Sequence, residues 1–331
     1  MAIPTAITIG SFDGVHRGHA GLLSEARRIA GPTGRVVALV FDPHPLTVIN
    51  PSAAPARLTT YSARERLLRH HGADEVARLE PSAEILTQTP DQFLEAIAAK
   101  YLPQGIVEGP DFRFGHRRSG DVAMLARIGA RLRIPVTVLD PVFITLDDHS
   151  EAPASSTLCR WLLRQGRVAD AARVLGRPHV LTGDVVRGDR RGRTIGFPTA
   201  NIATDILPPT DGVYAAWAEL VDGRRFPAAV NVGARPTFAG AARTIEAHLI
   251  TGPHNRSSEP SWSTLPDLPE YGWNVRIELM AFLRDSANFP GVAALVAQLD
   301  RDRARTIDML RRPSPHIPRP TVASEPQQAN T

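Results

Sequence analysis

Two residue types that often carry chemistry are nearly missing from this sequence of 331 residues. Cys159 is its single cysteine, so one chain can form neither a disulfide framework nor a cysteine zinc site. We expect Cys159 to act as a small buried apolar side chain. Lysine is equally scarce, because Lys100 is the only one among 38 basic residues. A Walker A phosphate loop and a protein-kinase strand lysine are therefore both excluded.

Long apolar runs are also lacking. No run approaches the roughly 20 residues that cross a bilayer, and the N-terminal segment MAIPTAITIG has no basic region ahead of an apolar core. These features predict a cytoplasmic protein with no membrane partner. The oligomeric state is not predicted by any feature of the sequence.

The overall composition is that of a globular protein. The hydrophobic fraction is 43% and the charged fraction 22%, and the length favours two domains over one. The net charge of +4 attracts anions, which could be nucleic acid or small phosphorylated ligands. Motifs are needed to separate these two alternatives.

The first half alternates strand-like and helix-like segments, which indicates a doubly wound parallel sheet covered by helices. The strand-like and helical runs are Ala6 to Gly10, Ala20 to Ala30, Val36 to Phe41, Gly105 to Gly109 and Pro135 to Asp140. The segment Ser155 to Leu175 predicts one or two short helices, opened by a Ser-Ser-Thr cap, that close the first domain.

From about Val180 the chain changes to short β-like segments. Asp222-Gly223 between two of them is a tight-hairpin signal, so this half predicts a small antiparallel β-barrel, followed by a helix at Val292 to Leu310. The segments Gly252 to Gly272 and Arg312 to Thr331 are rich in polar residues and proline, and we expect both to be unstructured. The expected domains are residues 1–178 and 179–311, with a disordered tail at 312–331.

A pair of histidines follows the first predicted strand. In the segment AITIGSFDGVHRGHAGLL, His16 and His19 lie three residues apart at a helix N-terminus, beside backbone N–H groups and the positive end of the helix dipole. Gly18 is expected to let a phosphate approach the backbone. By spacing alone, a solvated or metal-binding pair remains the alternative, but the carboxyl end of a strand in an α/β domain favours a phosphate site.

Four segments of the first half resemble the HxGH nucleotidylyltransferases, and within them the bacterial bifunctional riboflavin kinase/FAD synthetases. These segments are GSFDGVHRGH at Gly10 to His19, FDPHP at Phe41 to Pro45, GPDFRFG at Gly109 to Gly115, and SST followed by Arg160. The resemblance implies a Rossmann-like domain that adenylylates FMN to FAD with ATP and releases pyrophosphate, assisted by Mg²⁺ and without a covalent enzyme intermediate.

The resemblance also implies roles for individual residues. His16 and His19 are the implied catalytic residues and bind the α-phosphate of ATP. The other implied ATP contacts in this half are Gly10, Ser11, Phe12, Gly18, Asp111, Ser156 and Arg160, and the implied flavin contacts are Phe112 and Arg113. From the residues alone, Phe112 and Phe114 are more often core packing than flavin contacts, Asp13 could cap the turn, and His44 could fix a loop.

A second phosphate motif lies in the segment GDVVRGDRRGRTIGFPTANI, Gly183 to Ile202. Glycines Gly192 and Gly196 free backbone N–H groups to cradle phosphates without a Walker lysine, and nearby arginines add positive charge. Thr199 and Asn201 offer the neutral oxygen ligands that Mg²⁺ accepts. As a bare pattern, Pro-Thr-Ala-Asn could also be an Asx-type turn.

The segment GxxxGFPTAN resembles the flavokinase signature, followed by GVYAAW, NVGARPTF and TIEAHLI. The resemblance implies that Gly192, Pro198, Thr199 and Asn201 bind Mg·ATP, with Thr199 and Asn201 as metal ligands. Glu246 is then the base that accepts the proton of the riboflavin 5′-hydroxyl, although an outward-facing strand residue is the alternative. Arg284 contacts flavin phosphate or pairs with a surface acid.

The leading hypothesis is therefore a bifunctional enzyme that takes riboflavin, FMN and ATP, with Mg²⁺ as cofactor. A chain in which only one module is active is an alternative, motivated by departures from the family pattern such as Ser11. A nucleic-acid-binding protein is the alternative from another class, but the arginines are spread through both halves and no RNA-binding signature is present. An HxGH transferase for another substrate would leave the Pro-Thr-Ala-Asn segment unexplained.

Overall fold

A computed structural model describes residues 3–188, 190–233, 243–252 and 268–311. Two expectations therefore lie wholly or largely outside the described residues: the unstructured tail, and the loop between Gly252 and Gly272. The end of the NVGARPTF segment lies outside them as well.

A parallel five-stranded sheet forms the first half, in the order β3-β2-β1-β4-β5. Its strands are β1 (Thr5–Gly10), β2 (Arg35–Phe41), β3 (Glu75–Leu79), β4 (Gly105–Glu108) and β5 (Val136–Val138). The central strands read as nearly continuous apolar runs because helices cover both faces of the sheet. The prediction of a doubly wound parallel sheet is confirmed.

The helices of this half pack on the two faces of the sheet. They are α1 (Arg17–Ala30), α2 (Leu46–Ile49), α3 (Tyr61–His70), α4 (Ala83–Thr87), α5 (Pro90–Tyr101) and α6 (Val122–Leu132), with short 3-10 turns at Pro51–Ala53 and His116–Arg118. Helices α1 and α3 bury apolar residues against one face of the sheet. Helices α5 and α6 bury apolar residues against the opposite face of the sheet. Helix α5 begins with a capping box between Thr89 and Gln92.

A hairpin and two helices lead from the sheet to the second half. The hairpin of β6 (Phe143–Thr145) and β7 (Glu151–Pro153) has no counterpart in the predictions from sequence. Helices α7 (Ser156–Arg164) and α8 (Val168–Leu175) confirm the expected helical segment, and the Ser155 hydroxyl caps α7 by accepting from the Leu158 N–H at 3.1 Å. Cys159 is fully buried in α7, and burial raises its thiol pKa to about 12, so it is an inert core residue.

The second half is a closed antiparallel barrel of six strands within the described residues, in the order β10-β11-β12-β9-β8-β13. The elements are β8 (His179–Val186), α9 (Arg191–Thr194), β9 (Ala200–Ala203), β10 (Gly212–Leu220), β11 (Arg225–Gly233), β12 (Thr244–Leu249) and β13 (Asn274–Arg284). The predicted barrel is confirmed. Asp222-Gly223 forms the β10–β11 turn, where Gly223 takes a φ of 85° and the Asp222 carboxylate accepts from the Arg224 N–H at 2.9 Å.

A long helix, α10 (Val292–Arg311), packs against the outside of the barrel, close to the predicted bounds. It is fastened by Arg284 at the end of β13, whose Nε and Nη2 groups donate to the buried Asp302 carboxylate at 2.7 to 3.0 Å. The Arg284 Nη1 group donates to the Asp285 carbonyl at 2.9 Å. Arg284 is thus ion-paired, but with the buried Asp302 rather than with a surface acid, and its contact with a flavin phosphate stays a prediction.

The sheet opens between β1 and β4, the point at which the strand order reverses. The register of the two strands comprises the pairs Ala6–Gly105 and Ile7–Ile106. Beyond them, the Ile9 N–H of β1 donates to the Glu108 carboxylate of β4 at 2.6 Å. Glu108 is 2% exposed, and burial raises its pKa well above the usual 4.5. In open α/β sheets this crevice at the strand carboxyl ends is where ligands bind.

Replacing Glu108 by glutamine should remove one pH dependence of stability. Because the folded pKa is raised, the stabilisation by the neutral carboxyl is fully present below pH 4.5 and is lost as the pH rises through the raised value. The expected slope is about 1.4 kcal/mol per pH unit. Urea unfolding of the wild type and Glu108→Gln across this pH range measures it, with the exposed Glu84→Gln as control. Parallel curves for wild type and Glu108→Gln would contradict it.

Candidate active sites

The first candidate site lies where β1 ends and α1 begins. His16 occupies the N-cap position of α1 without a capping hydrogen bond from its side chain. Its ring stacks on the His19 ring, with 3.6 Å between the ring centroids and 25° between the ring planes. The Phe12 ring meets His19 edge-on at 5.0 Å. The two predicted catalytic histidines are thus brought together at the N-terminus of a 14-residue helix.

Both imidazoles are neutral at neutral pH. Burial, followed by the charges of Arg177 and Arg160, lowers the His16 pKa to about 4, against the opposing effect of Asp13. Burial and then the neighbouring His16 lower the His19 pKa well below its usual value of 6.5. Each Nδ1 atom is buried and has no hydrogen-bond partner among the described residues. A neutral imidazole carries one N–H group, which it can donate to an anion.

The absence of a side chain at Gly18 makes room for the His16 ring. A Cβ atom there would lie 3.1 Å from the His16 Cε1 and Nδ1 atoms and 3.3 Å from the Ala154 carbonyl oxygen. The close approach of a phosphate to the Gly18 backbone stays a prediction.

The turn that carries His16 is strained. Phe12, Gly14 and Val15 have φ angles of 49°, 85° and 40°, so two residues with side chains stand in the left-handed region. A positive φ at a β-branched residue such as Val15 is a rare conformation, and it costs about 1–3 kcal/mol unless the surroundings impose it. Contacts around this turn must supply that stabilisation.

Asp13 is the centre of those contacts. Its buried carboxylate accepts from the N–H groups of Leu58 and Thr59 at 2.9 to 3.1 Å and from the Thr59 hydroxyl at 3.0 Å. It also forms a 2.6 Å ion pair with Arg160. Asp13 therefore does not cap its own turn, as one reading of the sequence allowed: its carboxylate ties the turn to residues 58–59 and to α7.

Ser156 and Arg160, the predicted phosphate contacts from α7, face this same turn. The Ser156 hydroxyl donates to the Asp13 carbonyl at 2.6 Å, and the Arg160 Nε donates to the Ala56 carbonyl at 2.7 Å. With its Nη2 group on Asp13, the Arg160 side chain is 10% exposed. In this structure both residues hold the turn through the Ser156 hydroxyl and the Arg160 Nε and Nη2 groups, and their contact with phosphate stays a prediction.

Sequence reasoning missed two arginines that support the site. Arg64 of α3 is buried, pairs with Asp42 after β2, and donates to the Ser11 carbonyl at 2.7 Å. Arg177, after α8, donates to the Gly14 and Val15 carbonyls. Neither residue belongs to a recognised motif, and only the fold brings them to the turn.

The segment after β4 carries the predicted nucleotide and flavin contacts. Asp111 and Arg113 are exposed, and Phe112 is partly buried with its ring stacked at 5.4 Å on Phe114. Phe114 is 5% exposed and belongs to the core beside α5 and α6. Core packing is therefore correct for Phe114, whereas Phe112 lies at the border of that core.

His44 has the turn-fixing role. It lies between the two prolines of the FDPHP segment, and its Nδ1 atom accepts from the Leu46 N–H at 3.2 Å. Burial and the nearby Arg160 lower the pKa of this half-buried ring.

The second candidate site lies on the outer wall of the barrel. Asn201 of β9 stands opposite Glu246 of β12 in the strand register, and the Thr199 hydroxyl donates to the Glu246 carboxylate at 3.4 Å. The neighbours Ala200, Ile245 and Ala247 point into the barrel core. Glu246 does face outward, as its alternation allowed, but the outer face is where the other two predicted residues lie.

The glycine loop before β9 closes tightly over this wall. A Cβ at Gly192 would lie 2.1 Å from the Phe197 carbonyl oxygen. The Phe197 N–H also donates to the Gly192 carbonyl at 2.8 Å. Gly192 is thus required by a close backbone approach. Pro198 is buried, and its carbonyl accepts from the His248 Nδ1 at 2.9 Å.

The donor set on this wall fits a magnesium ion. Thr199 and Asn201 supply a hydroxyl and an amide oxygen, ligand types that Mg²⁺ accepts, and the Glu246 carboxylate lies beside them. A Cβ at Gly188 would meet the Asn201 amide at 2.1 to 2.6 Å, so the loop backbone packs directly on that amide. No group of three or more His, Cys, Asp or Glu side chains able to hold a metal occurs within the described ranges.

Two family models match the chain in succession. One described as FAD synthetase matches residues 2–155, and one described as riboflavin kinase matches residues 175–310. The chain is 33% identical to the bifunctional riboflavin kinase/FMN adenylyltransferase of Escherichia coli K12, over 89% of this chain and 90% of the relative. It is 31% identical to that of Listeria monocytogenes, over 92% of each.

A solved structure extends the similarity to the arrangement of both halves. A crystal structure described as a macrolide-efflux protein from Streptococcus pneumoniae superposes with a TM-score of 0.75 at 26% identity, covering 93% of this chain and 95% of that one. Among the described residues, no helix has the length and apolarity that a membrane crossing demands.

Asp13→Asn should destabilise the fold by about 2–5 kcal/mol, because the buried Arg160 loses its counter-charge and two backbone N–H groups lose part of their acceptor. Urea unfolding measures the change. The matched control is Glu25→Gln, whose partner Arg28 is exposed, and we expect no measurable effect there. Equal stabilities of the two variants would contradict the assignment of Asp13 as the centre of the turn.

Proposed function

Because the chain belongs to the family of bifunctional riboflavin kinase/FMN adenylyltransferases, we propose that its two sites perform the two reactions of that family in sequence. The barrel phosphorylates riboflavin to FMN, and the sheet domain adenylylates FMN to FAD. The observation that carries the proposal is that two separate clusters of phosphate-type chemistry, the stacked histidines and the Thr199–Asn201–Glu246 wall, each fall within the corresponding matched range.

In the adenylylation, a phosphate oxygen of FMN attacks the α-phosphorus of ATP. The new P–O bond forms as the bond between the α- and β-phosphates breaks, and pyrophosphate leaves. We assign to His16 and His19 the donation of N–H groups to the α-phosphate, where negative charge develops, beside the positive end of α1. Neutral imidazoles can fill this role, because an N–H donor stabilises the added negative charge on the α-phosphate oxygens more strongly than the ground state.

The turn around Asp13 supports this chemistry. Gly10, Ser11, Phe12 and Gly18 are proposed to contact ATP through their backbone, and Asp111 through its side chain. Ser156 and Arg160 act first on the turn that presents His16, since their hydrogen bonds go to Asp13. Phe112 and Arg113, at the border of the aromatic core, are the proposed flavin contacts.

In the phosphorylation, Glu246 accepts the proton of the riboflavin 5′-hydroxyl while that oxygen attacks the γ-phosphorus of ATP, and ADP leaves. Thr199 and Asn201 would hold Mg²⁺, which would neutralise charge on the transferred phosphoryl group. The Gly192–Pro198 loop, closed by its own backbone contacts, positions the phosphates over this wall. Positioning and charge are the main demands of phosphoryl transfer.

The boundaries of the two modules are part of the proposal. Residues 1–178 are assigned to adenylylation and 179–311 to phosphorylation. The order of reactions follows from the chemistry, because adenylylation needs the phosphate that the kinase adds. A cytoplasmic location remains a prediction from the sequence.

Two variants should separate the activities on one chain. His16→Asn is expected to lower the rate of FAD formation from FMN by about 10²–10³-fold while riboflavin is still converted to FMN. Glu246→Gln should lower FMN formation by about 10²–10⁴-fold and leave FAD formation from FMN intact. Chromatography of the flavins after incubation with ATP and Mg²⁺ measures both. Loss of both products in either variant, with a folded protein, would contradict two independent sites.

Thr199→Val should raise the Mg²⁺ concentration needed for half-maximal riboflavin phosphorylation by about tenfold, because one oxygen ligand is removed with little change of shape. The measurement is the initial rate of FMN formation across a Mg²⁺ titration. Thr204→Val is the control, since the Thr204 hydroxyl donates to the Thr182 carbonyl elsewhere in the barrel. An unchanged Mg²⁺ requirement in Thr199→Val would remove Thr199 from the metal site.

A further inference from the structure

Arg177 contacts the last two residues before His16, Gly14 and Val15, through its guanidinium group. Its Nη2 donates to the Gly14 carbonyl at 2.6 Å and its Nη1 to the Val15 carbonyl at 3.0 Å. Nη1 also donates to the Leu175 carbonyl at 3.3 Å, which fixes the side chain to the end of α8. Among the described residues, the planar fork of one arginine thus bridges two consecutive carbonyls of the strained turn.

The direction of these carbonyls matters for the site. In a trans peptide, the C=O and N–H groups point in opposite directions. Because the Val15 carbonyl is held toward Arg177, the His16 N–H points away from Arg177. This N–H stands at the N-terminus of α1, where backbone donors are suited to bind an anion. The same contact fixes the peptide plane from which the His16 ring projects.

Arg177 lies in the short connection between α8 and β8, at the end of residues 1–178 and far along the chain from the strands of the sheet. It follows Gly176, which ends α8 with a φ of 74°, and lies two residues before β8, the first strand of the barrel. It lies outside the range matched by the FAD synthetase model and inside the range matched by the riboflavin kinase model. Burial lowers its pKa to about 10, which leaves it charged at neutral pH.

We infer that Arg177 is a positioning residue for adenylyl transfer, supplied by the segment that enters the kinase barrel. It acts through the turn: its fork holds the Gly14 and Val15 carbonyls and so sets the orientation of the His16 backbone and ring. The adenylylation site is then incomplete without a residue beyond the range 2–155 matched by the FAD synthetase model. This inference rests on the proposed function of the histidine site.

The test is a comparison of Arg177→Met and Arg177→Lys in the full chain. For FAD formation from FMN and ATP, Arg177→Met should lower kcat by about 100-fold with little change in KM, because a misplaced histidine affects the transition state more than substrate binding. Arg177→Lys should recover part of this loss, since an ammonium still donates to a carbonyl but lacks the fork. Riboflavin phosphorylation by the same samples should stay at the wild-type rate.

The control is Arg173→Met, which removes a neighbouring arginine of α8 that pairs with Asp147 and does not touch the turn. Wild-type kcat for FAD formation in Arg177→Met would overturn the inference. Equal loss of both activities, with Arg177→Lys no better than Arg177→Met, would assign Arg177 to folding alone and would also overturn it. A wild-type chain that forms no FAD from FMN would instead refute the proposed function.

Discussion

The turn from Phe12 to Val15 is the constraint on which the first site depends. Its backbone occupies conformations that residues with side chains avoid, so it persists only because surrounding groups hold it. These groups come from separate parts of the chain: Thr59 before α3, Ser156 and Arg160 in α7, and Arg177 at the entry to the barrel. The position of the histidine pair is therefore a property of the assembled fold and not of the local motif.

The architecture could be predicted from sequence because its signals are local and repeated. Alternating apolar strands and amphipathic helices predict a parallel sheet, and the Asp222-Gly223 turn between β-like runs predicts antiparallel strands. The β6–β7 hairpin was missed, since its three-residue strands are too short to show a period. Strand order could not be predicted either, so the opening between β1 and β4 was visible only in the structure.

For the sites, residue type and spacing predicted the histidine pair, and the resemblance to the flavokinase signature brought Thr199, Asn201 and Glu246 into one group. They could not predict partners. Arg284 and Arg160 are basic residues in suggestive segments, yet each is engaged by a buried carboxylate, Asp302 and Asp13, from a distant part of the chain. Likewise the sequence does not show that the His16 ring lies where a side chain at Gly18 would be. Long-range pairing decides such roles, and a single sequence does not encode it in any local pattern.

The helices α7 and α8 have a consequence for how the chain unfolds. Apolar residues of both helices, together with Leu58, belong to the same buried cluster as the barrel interior, although neither family model covers most of these helices. Because these apolar residues are buried against each other across the boundary, unfolding of one half exposes apolar surface of the other half. The unfolding of the two halves is therefore thermodynamically coupled. The chain is then expected to melt in a single calorimetric transition, and a destabilised barrel would reduce the population of the competent adenylylation site even when no residue of that site has changed.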